Sequence, residues 1–299
     1  MQQDAPRWQL VVILWGTKYP VAELNALIET VLARAATPPR VVLISDRDRP
    51  GLLPQVLLRR FPEFYLSPPM LAGGCQAKLA MFAPGVVPAD LPAIYLDIDT
   101  LVLGDVTRFL DLLDRPERMA MLQSVVLPFG ALGRALHRLS GGRHYARGNS
   151  SIVVYHPAHC SHIATTYERL HAAHGYNGLR PMIADERFIS WSAQAQLRAI
   201  PKRLAVKFPT EFMWPWRWLI HLRARLPWLR RRWAGLVAIT LPGDEVKGPE
   251  LLTLPEGAEI TDRKGRRLIW SDRALGPVRA RIIAYYTDLN ARLRQGEQP

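Results

Sequence analysis

Two acidic residues, Asp97 and Asp99, interrupt the apolar run in the middle of the stretch IYLDIDTLVLGD, at residues 94–105. An apolar run of this kind predicts a buried strand, and strand geometry would put Asp97 and Asp99 on the same face. Two neighbouring carboxylates repel each other, and burying them without a partner is unfavourable. A hard divalent cation such as Mn²⁺ or Mg²⁺ binds carboxylate oxygens and removes that repulsion. Asp97 and Asp99 are therefore candidate metal ligands, with acids that merely cap the turn after a strand as the simpler alternative.

The flanking sequence predicts the elements that position these acids. Apolar runs bounded by turn residues predict strands at 9–16, 40–46, 93–99, 118–126 and 150–157. Helical spacing of apolar residues predicts helices at 21–35, 75–82 and 160–174, and a polar amphipathic helix after Asp272. Strands that alternate with helices predict an α/β fold with a largely parallel sheet. Ligands of such sheets bind beyond the carboxyl ends of the strands, where Asp97 and Asp99 are expected to lie.

Composition and charge limit the classes of protein to which this chain can belong. Its 299 residues are 48% apolar and 22% charged, which is typical of a globular chain and excludes a disordered one. The formal net charge of +13 favours anionic partners such as phosphates, nucleic acid or a membrane surface. Nucleic acid is the least favoured, because the basic residues cluster with Trp and Leu and form no groove-binding motif. Two cysteines and an N-terminus without a signal or spanning segment favour a cytoplasmic protein.

Six short motifs follow one another along the chain. They are ILWGTKYP (13–20), LISD (43–46), QAKLAMF (76–82), YLDIDTLVLGD (95–105), RGNSSIVVYHP (147–157) and ADERFIS (184–190). Their order resembles the retaining, GT-A-type nucleotide-sugar glycosyltransferases related to glycogenin and the lipopolysaccharide galactosyltransferases, grouped as glycosyltransferase family 8. The resemblance extends over residues 10 to 210, and the D-x-D and N-S-S stretches are its most specific parts.

The resemblance implies a GT-A-like domain at residues 1–250, with a Rossmann-like sheet flanked by helices. Residues 251–299 would form a C-terminal extension that ends in a helix. The implied reaction moves a sugar from a nucleotide-sugar donor, with UDP the expected nucleotide, to a glycan or a lipid-linked saccharide. Retention of the anomeric configuration and dependence on Mn²⁺ or Mg²⁺ are also implied. The cation and nearby lysines would neutralise the charge that develops on the diphosphate leaving group.

The same resemblance assigns roles to individual residues. Catalytic candidates, which would face the transferred sugar, the acceptor or the leaving group, are Asp185, Asn149 and Lys78. Nucleotide-binding candidates are Asp46, Thr17, Lys18, Lys78, Asp97 and Lys247. The negative charge of Asp185 would stabilise an oxocarbenium-like transition state. Simpler interpretations stay open, since an Asp after a strand is commonly a turn former and a lone lysine is commonly a solvated charge.

One departure from the family pattern concerns the metal site. The family closes with an H-G-x-x-K-P stretch whose His binds the metal, whereas ITLPGDEVKGPE (239–250) has Pro242 at that place. Either Asp244 or Glu245 would supply the missing ligand, with Asp244 the candidate that we retain. Alternatively, the two acids of the D-x-D would bind the cation together with the diphosphate and water.

Two other functions are compatible with the same residues. A degenerate relative would bind nucleotide or glycan without turnover, and the missing His favours it. A haloacid-dehalogenase-type phosphatase would use Asp97 as nucleophile and Asp99 as general acid, with Thr100 completing a D-x-D-x-T pattern. That family places this strand near the start of its core, whereas two predicted strands precede it here.

Residues 212–233, FMWPWRWLIHLRARLPWLRRRW, combine six arginines and five tryptophans with no acid. A helix between the prolines of this segment would align Arg217, His221 and Arg225 opposite an apolar group of Trp216, Leu219, Ile220 and Leu226. Arginine and tryptophan in this pattern are typical of a segment that lies on an anionic membrane, here the inner face. The alternative is an ordinary helix that packs its apolar side chains into the domain and leaves its arginines solvated.

Overall fold

The computed structural model describes residues 5–71, 75–123, 127–241 and 246–296. Contacts within the chain divide it into two compact units. Unit 1 comprises Met1–Val21, Ala36–Ile98 and Thr107–Ile200, and unit 2 comprises Ala22–Ala35, Asp99–Val106 and Pro201–Pro299. The division falls between Ile98 and Asp99, so Asp97 is described with unit 1 and Asp99 with unit 2. The functional domain limits of 1–250 and 251–299 stay a prediction.

The described residues form twelve strands and eleven α-helices. The strands are β1 (Gln9–Leu14), β2 (Arg40–Ser45), β3 (Val56–Arg60), β4 (Ala93–Leu96), β5 (Thr100–Val102), β6 (Met119–Gln123), β7 (Gly148–Tyr155), β8 (Leu197–Ala199), β9 (Ala205–Lys207), β10 (Ala238–Thr240), β11 (Ala258–Thr261) and β12 (Arg267–Trp270). The helices are α1 (Val21–Arg34), α2 (Pro68–Leu71), α3 (Ala131–Leu139), α4 (Ser161–His174), α5 (Asp185–Ser192), α6 (Phe208–Phe212), α7 (Arg217–Arg225), α8 (Pro227–Ala234), α9 (Gly248–Thr253), α10 (Asp272–Leu275) and α11 (Pro277–Gly296). Short 3-10 helices occupy Glu63–Leu66, Gln76–Phe82, Val106–Leu112, Pro157–His159 and Arg180–Ile183.

Seven strands in the described part of unit 1 form one sheet, in the order β3-β2-β1-β4-β7-β6-β8. β1 pairs in parallel with β2 and β4, as do β2 with β3 and β6 with β8. β7 alone among these strands runs antiparallel to its neighbours, β4 and β6. The predicted α/β fold with a largely parallel sheet is therefore confirmed. The sequence does not predict the direction of β7, which places its first residues at the edge where β4 ends.

Apolar sequence explains why the centre of this sheet is buried. All six residues of β1 and the last five of β2 are buried, as expected for strands that are covered on both faces. The 3-10 helix Gln76–Phe82 is buried along its whole length and confirms the short helix predicted at 75–82. Apolar side chains such as Leu79 and Phe82 hold it in the core, since each contributes roughly 2 kcal/mol on burial. This helix carries Lys78 into the interior of unit 1.

The structure corrects the predicted extent of the strand that carries the two acids. β4 ends at Leu96, so Asp97 and Asp99 lie in the connection to β5 and not on one face of a strand. The Asp97 N–H still donates to the carbonyl of Ser151 on β7, at 2.9 Å, before the chain turns. A carboxylate is too unfavourable to bury inside an apolar sheet, and the turn brings each acid to a cationic partner of its own.

The other predicted elements have clear counterparts. The helices predicted at 21–35 and 160–174 are α1 and α4, and the helix predicted after Asp272 corresponds to α10 and α11. The strand predicted at 118–126 is β6, which ends at Gln123, and residues 124–126 lie outside the described part of the chain. Among the described residues, no helix is long and apolar enough to cross a lipid bilayer.

Unit 2 is built around an apolar core of its own. β10 pairs antiparallel with β5 and parallel with β9, and β11 forms a hairpin with β12. Large aromatic side chains fill the core, among them Phe208, Phe212, Trp233 and Trp270. The sequence does not predict the sheet of β5, β9 and β10, because each of these strands has only three residues.

The basic aromatic segment 212–233 contains α7 and most of α8, so the predicted helix between its prolines is present. Buried Glu211, which precedes the segment, accepts hydrogen bonds from Arg223 at 2.7 Å, from Trp233 Nε1 at 3.0 Å and from Arg232. Two of the six arginines therefore compensate a buried acid and are not free surface charges.

The apolar group predicted on α7 does not share one environment. Ile220 is buried in unit 2, whereas Trp216 is 57% exposed. The helical spacing is correct, but the helix packs into the core through Ile220 and Ala224 and leaves tryptophan side chains in solvent.

We predict that the start of α9 depends on the absence of a side chain at Gly248. A Cβ atom added there would lie 1.6 Å from Cζ of Tyr286 in α11. Gly248→Ala should therefore force the two helices apart and lower the free energy of unfolding by about 1–3 kcal/mol, measured by chemical denaturation. Gly235→Ala is a matched control, because its added Cβ would lie 3.7 Å from the nearest atom. Equal stability of the two variants would contradict the packing of α9 on Tyr286.

Candidate active site

A buried lysine organises the charged residues at the end of β4. Lys78, on the 3-10 helix Gln76–Phe82, places its Nζ 2.6 Å from Asp97 Oδ1. Tyr95 precedes Asp97 on β4 and donates its hydroxyl to the same oxygen. The Lys78 Nζ also lies 5.7 Å from the centre of the Tyr95 ring. We refer to Lys78, Tyr95, Asp97 and Asp185 as the Lys78 cluster.

Electrostatic interactions keep Lys78 charged in the interior. Burial acts to lower the pKa of Lys78, but Asp97, Tyr95 and Asp185 outweigh it, so the pKa is raised well above its ordinary value. Burial, reinforced by the Asp97 carboxylate, raises the pKa of Tyr95, so its phenol stays a hydrogen-bond donor. The structure thus brings together Lys78, Asp97 and Asp185, three of the residues that the sequence singles out.

Asp185 is the titratable member of the Lys78 cluster. It begins α5, is buried, and accepts a 2.7 Å hydrogen bond from Ser150 Oγ on β7. Burial raises the pKa of Asp185 to about 6, while Lys78 and the Ser150 hydrogen bond act in the opposite direction. A buried carboxyl group that changes protonation near neutral pH is typical of a functional site.

Asn149 contacts an acid to which the sequence analysis assigns no role. Its Nδ2 donates to Glu186 Oε2 at 3.0 Å, and its Oδ1 accepts the Ser151 N–H at 3.3 Å. Glu186 follows Asp185 in α5, so the contacts of Asn149 and Ser150 join the first turn of α5 to the start of β7. Asn149 is therefore held beside Asp185 by two neighbouring hydrogen bonds.

Asp46 links the end of β2 to the turn that follows β1. Its carboxylate accepts the Gly16 N–H at 3.2 Å, and it forms ion pairs with Arg49 at 2.5 Å and Arg47 at 2.9 Å. Burial acts to raise the pKa of Asp46, but the bonds and charges of these neighbours outweigh it and lower the pKa. The turn-forming interpretation of Asp46 thus has structural partners, and its role in binding a base stays a prediction.

One cysteine, Cys75, is affected both by the charges of the Lys78 cluster and by a lysine of the turn after β1. Thr17 and Lys18 are exposed in this turn. Cys75 has a thiol pKa raised chiefly by burial, and the charges of Lys78, Asp185, Asp97 and Lys18 also act on it. The charge of Lys18 thus acts on the same thiol as the charges of the cluster, whereas none of the described contacts joins Thr17 to the site.

The second acid of the D-x-D pattern has its own lysine in unit 2. Asp99 Oδ2 lies 3.7 Å from the Nζ of Lys247, which precedes α9. The Asp99 carbonyl accepts the Leu241 N–H at 3.3 Å and so continues the backbone bonding beyond β10. Asp244, the predicted third metal ligand, lies outside the described residues. Asp97 and Asp99 are thus each balanced by a lysine within their own unit.

The acidic residues fit a divalent cation in one of two possible ways. In the part of the chain that the structure describes, no group of three His, Cys, Asp or Glu side chains could enclose a metal ion. A closed protein cage is therefore not formed by these residues. Mg²⁺ commonly binds through one or two carboxylates, and phosphate oxygens and water complete its shell. Two carboxylates one residue apart in the chain, as Asp97 and Asp99 are, match that open mode in number and in type of ligand.

Several residues of the site are not predicted from the sequence. Tyr95 lies two residues before Asp97, and strand alternation would place both side chains on one face, so the pattern contains a usable signal. Ser150 belongs to the N-S-S stretch, but its partner Asp185 is distant in sequence. Cys75 and Arg49 carry no pattern that marks them, because their contacts depend on the packing of separate elements.

No protein-family model and no curated protein matches this chain. Solved glycosyltransferase structures do match it. The galactosyltransferase LgtC, crystallised with donor and acceptor sugar analogues, is 13% identical with a TM-score of 0.52, and the match covers 94% of this chain and 95% of LgtC.

Two larger glycosyltransferases give comparable matches. WbbM, a bifunctional enzyme, is 12% identical with a TM-score of 0.52, and the match covers 95% of this chain and 52% of WbbM. GlyE of Streptococcus pneumoniae TIGR4 is 13% identical with a TM-score of 0.51, and the match covers 96% of this chain and 63% of GlyE. The chain therefore spans about half of WbbM and less than two thirds of GlyE. At these identities the likeness establishes the fold, which is that of the GT-A glycosyltransferases.

We predict that Asp185 titrates near pH 6 and that Lys78 influences its pKa. Lys78→Met removes a charge that lowers this pKa, so the pKa of Asp185 should rise above about 6. Carboxyl carbon NMR shifts followed against pH measure the change, and Asp46 in its arginine network is the internal control. An unchanged pKa of Asp185 in Lys78→Met would contradict the electrostatic coupling.

The raised pKa of Asp185 also makes the stability of the fold depend on pH. Because the folded chain binds the Asp185 proton more tightly than the unfolded chain, the contribution of this group to the free energy of unfolding falls as pH rises from 3.8 to about 6.

Proposed function

We propose that this chain is a glycosyltransferase that transfers a sugar from a UDP-linked donor to a glycan or lipid-linked saccharide, with retention at the anomeric carbon. The observation that carries the proposal is the Lys78 cluster, in which a charged lysine, Asp97 and the titratable Asp185 meet at the carboxyl end of β4. Ligands of parallel sheets bind at that edge. The crystallisation of LgtC with donor and acceptor analogues supports the same classes of ligand here.

Each charge of the cluster has a part in the proposed transfer. Above about pH 6, ionised Asp185 supplies a negative charge beside a sugar that becomes positive as its bond to the leaving group breaks. Lys78 supplies a fixed positive charge for the diphosphate. Asn149, whose amide is oriented by Glu186, would contact hydroxyl groups of the transferred sugar. The geometry is prepared before substrate binds, which reduces the reorganisation needed in the transition state.

The nucleotide is proposed to lie between the turn after β1 and the end of β2. Asp46 would accept from the base, and Thr17 and Lys18 would approach the ribose and phosphates. Lys247 is proposed as a second cation for the diphosphate. Thr17 and Lys18 are exposed in a turn at the carboxyl edge of the sheet, so both are accessible to a nucleotide, which supports their proposed roles.

Mn²⁺ or Mg²⁺ is proposed as the cofactor, with Asp97 and Asp99 as protein ligands and Asp244 as a candidate third. When bound, the cation would neutralise the diphosphate as it leaves. Each acid is paired with a lysine, Asp97 with Lys78 and Asp99 with Lys247. A bound diphosphate would offer the two ammonium groups another anion, and the carboxylates would then be available to the cation.

We predict that metal-dependent donor binding requires both acids of the D-x-D. Thermal shifts and donor hydrolysis would be measured with UDP, GDP and dTDP sugars, each with and without Mn²⁺. Asp97→Asn and Asp99→Asn should each lose the Mn²⁺-dependent shift, because an amide is a much weaker ligand than a carboxylate for a hard cation. Asp90→Asn is the matched control, since Asp90 pairs with Arg40 at the surface. Donor affinity in Asp99→Asn that keeps its Mn²⁺ dependence would rule out this metal site.

A relative that binds nucleotide or glycan without turnover is the second candidate. Pro242, which stands where the resembled family has its metal-binding His, favours it. Binding of a nucleotide sugar without any hydrolysis or transfer would support this candidate over the enzyme. The structures matched here are glycosyltransferases, so the fold gives the phosphatase alternative no support.

We further propose that α7 and α8 contact an anionic membrane surface, the inner face if the chain is cytoplasmic. Three tryptophans of this region are largely exposed: Trp216 by 57%, Trp218 by 63% and Trp228 by 61%. Arg225 and Arg231 are exposed on the same helices. Exposed Trp beside Arg suits the boundary between headgroups and acyl chains, where each Arg contributes about 1 kcal/mol.

We predict that Arg225→Glu combined with Arg231→Glu weakens binding to vesicles of phosphatidylcholine and phosphatidylglycerol roughly tenfold or more. Vesicle sedimentation at low and high salt measures the effect. Arg223 and Arg232 are left intact because they compensate Glu211. Lys202→Glu combined with Arg203→Glu makes the same change in net charge at exposed positions outside the two helices. Equal losses in both double variants would mean that only net charge matters and that α7 and α8 form no specific surface.

A further inference from the structure

A cavity of about 480 Å³ in unit 1 is lined by Leu127, Leu136, Arg143, His144, Tyr145, Arg147 and Arg180, with no acidic side chain among them. The three arginines are exposed, and the salt bridges among the described residues involve none of them. A concave site of this volume can enclose a ligand group of the size of a lipid headgroup or a monosaccharide. Its uncompensated arginines favour a negatively charged group.

The charges of two cavity arginines, Arg147 and Arg180, act on the tyrosine of the same cavity, Tyr145. Burial raises the pKa of Tyr145, and Arg147, Arg187 and Arg180 act in the opposite direction because their charges favour the phenolate. Two of these arginines, Arg147 and Arg180, line the cavity together with Tyr145, and Arg187 on α5 adds its charge. Planar guanidinium groups bind phosphate through paired N–H donors, so a cavity lined by Arg143, Arg147 and Arg180 is suited to a phosphate.

An apolar helix face continues from the rim of the cavity. Leu132, Leu136 and Leu139 recur at helical spacing on α3 and are 65%, 36% and 86% exposed. Leu136 also lines the cavity. Gly133 lies roughly 100° around the helix from Leu132, and a Cβ added to it would lie 2.7 Å from the Pro128 carbonyl. Close packing at Gly133 thus fixes the position of α3, and the three leucines stay exposed.

Chain connections place this surface beside the Asp185 part of the candidate active site. Residues 143–147 lead directly into β7. The Ala146 N–H donates to Gln194 Oε1 at 2.6 Å, and the Gly148 N–H donates to Ser190 Oγ at 2.9 Å. Arg147 precedes the β7 stretch that bears Asn149. Arg180 opens the 3-10 helix that leads into α5 and Asp185.

We propose that the arginine cavity and the leucine face of α3 together bind the acceptor, and that the acceptor is a lipid-linked saccharide with a phosphate near the sugar. The phosphate would occupy the cavity, and the lipid chain would lie along Leu132, Leu136 and Leu139. A soluble phosphorylated sugar would not use the leucines, and a flat membrane surface would not use the cavity. This inference rests on the proposed transferase function and names its acceptor class.

The test uses the full chain and a lipid that stays monomeric, so that no bilayer engages α7 and α8. Calorimetric titrations would compare dihexanoyl phosphatidic acid, inorganic phosphate and the uncharged amphiphile hexyl glucoside. We expect dihexanoyl phosphatidic acid to bind roughly tenfold or more tightly than phosphate, because apolar burial adds to the charge interaction. Hexyl glucoside should bind more weakly than dihexanoyl phosphatidic acid by a similar factor.

Variants separate the two halves of the surface. Arg147→Gln and Arg180→Gln should weaken binding of both phosphate and dihexanoyl phosphatidic acid, whereas Leu132→Ser combined with Leu139→Ser should weaken only the lipid. Arg60→Gln and Leu66→Ser, at exposed positions elsewhere in unit 1, are matched controls and should bind like the parent. Lipid binding that equals phosphate binding and ignores the leucine changes would overturn the proposal, as would no binding at all.

The outcome is distinguishable from failure of the transferase proposal. A chain that binds dihexanoyl phosphatidic acid through these residues but never binds a nucleotide sugar would contradict the transferase and leave a phospholipid site. A chain that hydrolyses a nucleotide sugar but shows no preference for the lipid probe would contradict the acceptor surface alone.

Discussion

The buried ammonium group of Lys78 is the constraint on which the arrangement of Tyr95, Asp97 and Asp185 depends. A lysine stays charged inside a protein only when acceptors surround it, because an isolated buried charge is strongly unfavourable. Asp97 accepts a hydrogen bond from Lys78, and the negative charge of Asp185 also raises the pKa of Lys78. Lys78 meets these acceptors because the 3-10 helix Gln76–Phe82 is buried, β4 ends before Asp97, and α5 begins at Asp185. Loss of one partner would leave a charge uncompensated, which costs about 3–5 kcal/mol.

The same constraint explains how an apolar run can contain two acids. Asp97 is compensated by Lys78 and Tyr95, and Asp99 by Lys247, so the chain supplies cationic or hydrogen-bonding partners itself. The divalent cation proposed for Asp97 and Asp99 would compete with these lysines. A nucleotide diphosphate would relieve that competition, because it offers the ammonium groups another anion. Metal and nucleotide binding would then be coupled, each raising the affinity for the other by the same factor.

Sequence patterns predict the part of this structure that local chemistry determines. β1, β2, α1 and α4 follow from long apolar runs or helical spacing, and each lies where the pattern predicts it. The direction of β7 has no local signal, because it depends on the path of the chain between β6 and β7. Edge strand β3 is half-buried and ends in two arginines, so its pattern is weak. Motif order singles out Lys78, Asp97 and Asp185, but the compensation of Asp46 by Arg49 is visible only in the folded chain.

The net charge of +13 does not by itself show which arginines can bind a ligand, because some of them are paired within the chain. Arg281 donates to the carbonyls of Leu103, Trp233, Ala234 and Leu236, and burial lowers its pKa. Arg223 and Arg232 compensate Glu211. These side chains satisfy internal acceptors and are not available to a ligand. The cavity arginines, Arg143, Arg147 and Arg180, stay exposed beside Leu136. Since soluble anions need no apolar contact, the combination of uncompensated arginine with exposed leucine is what favours an amphiphilic ligand.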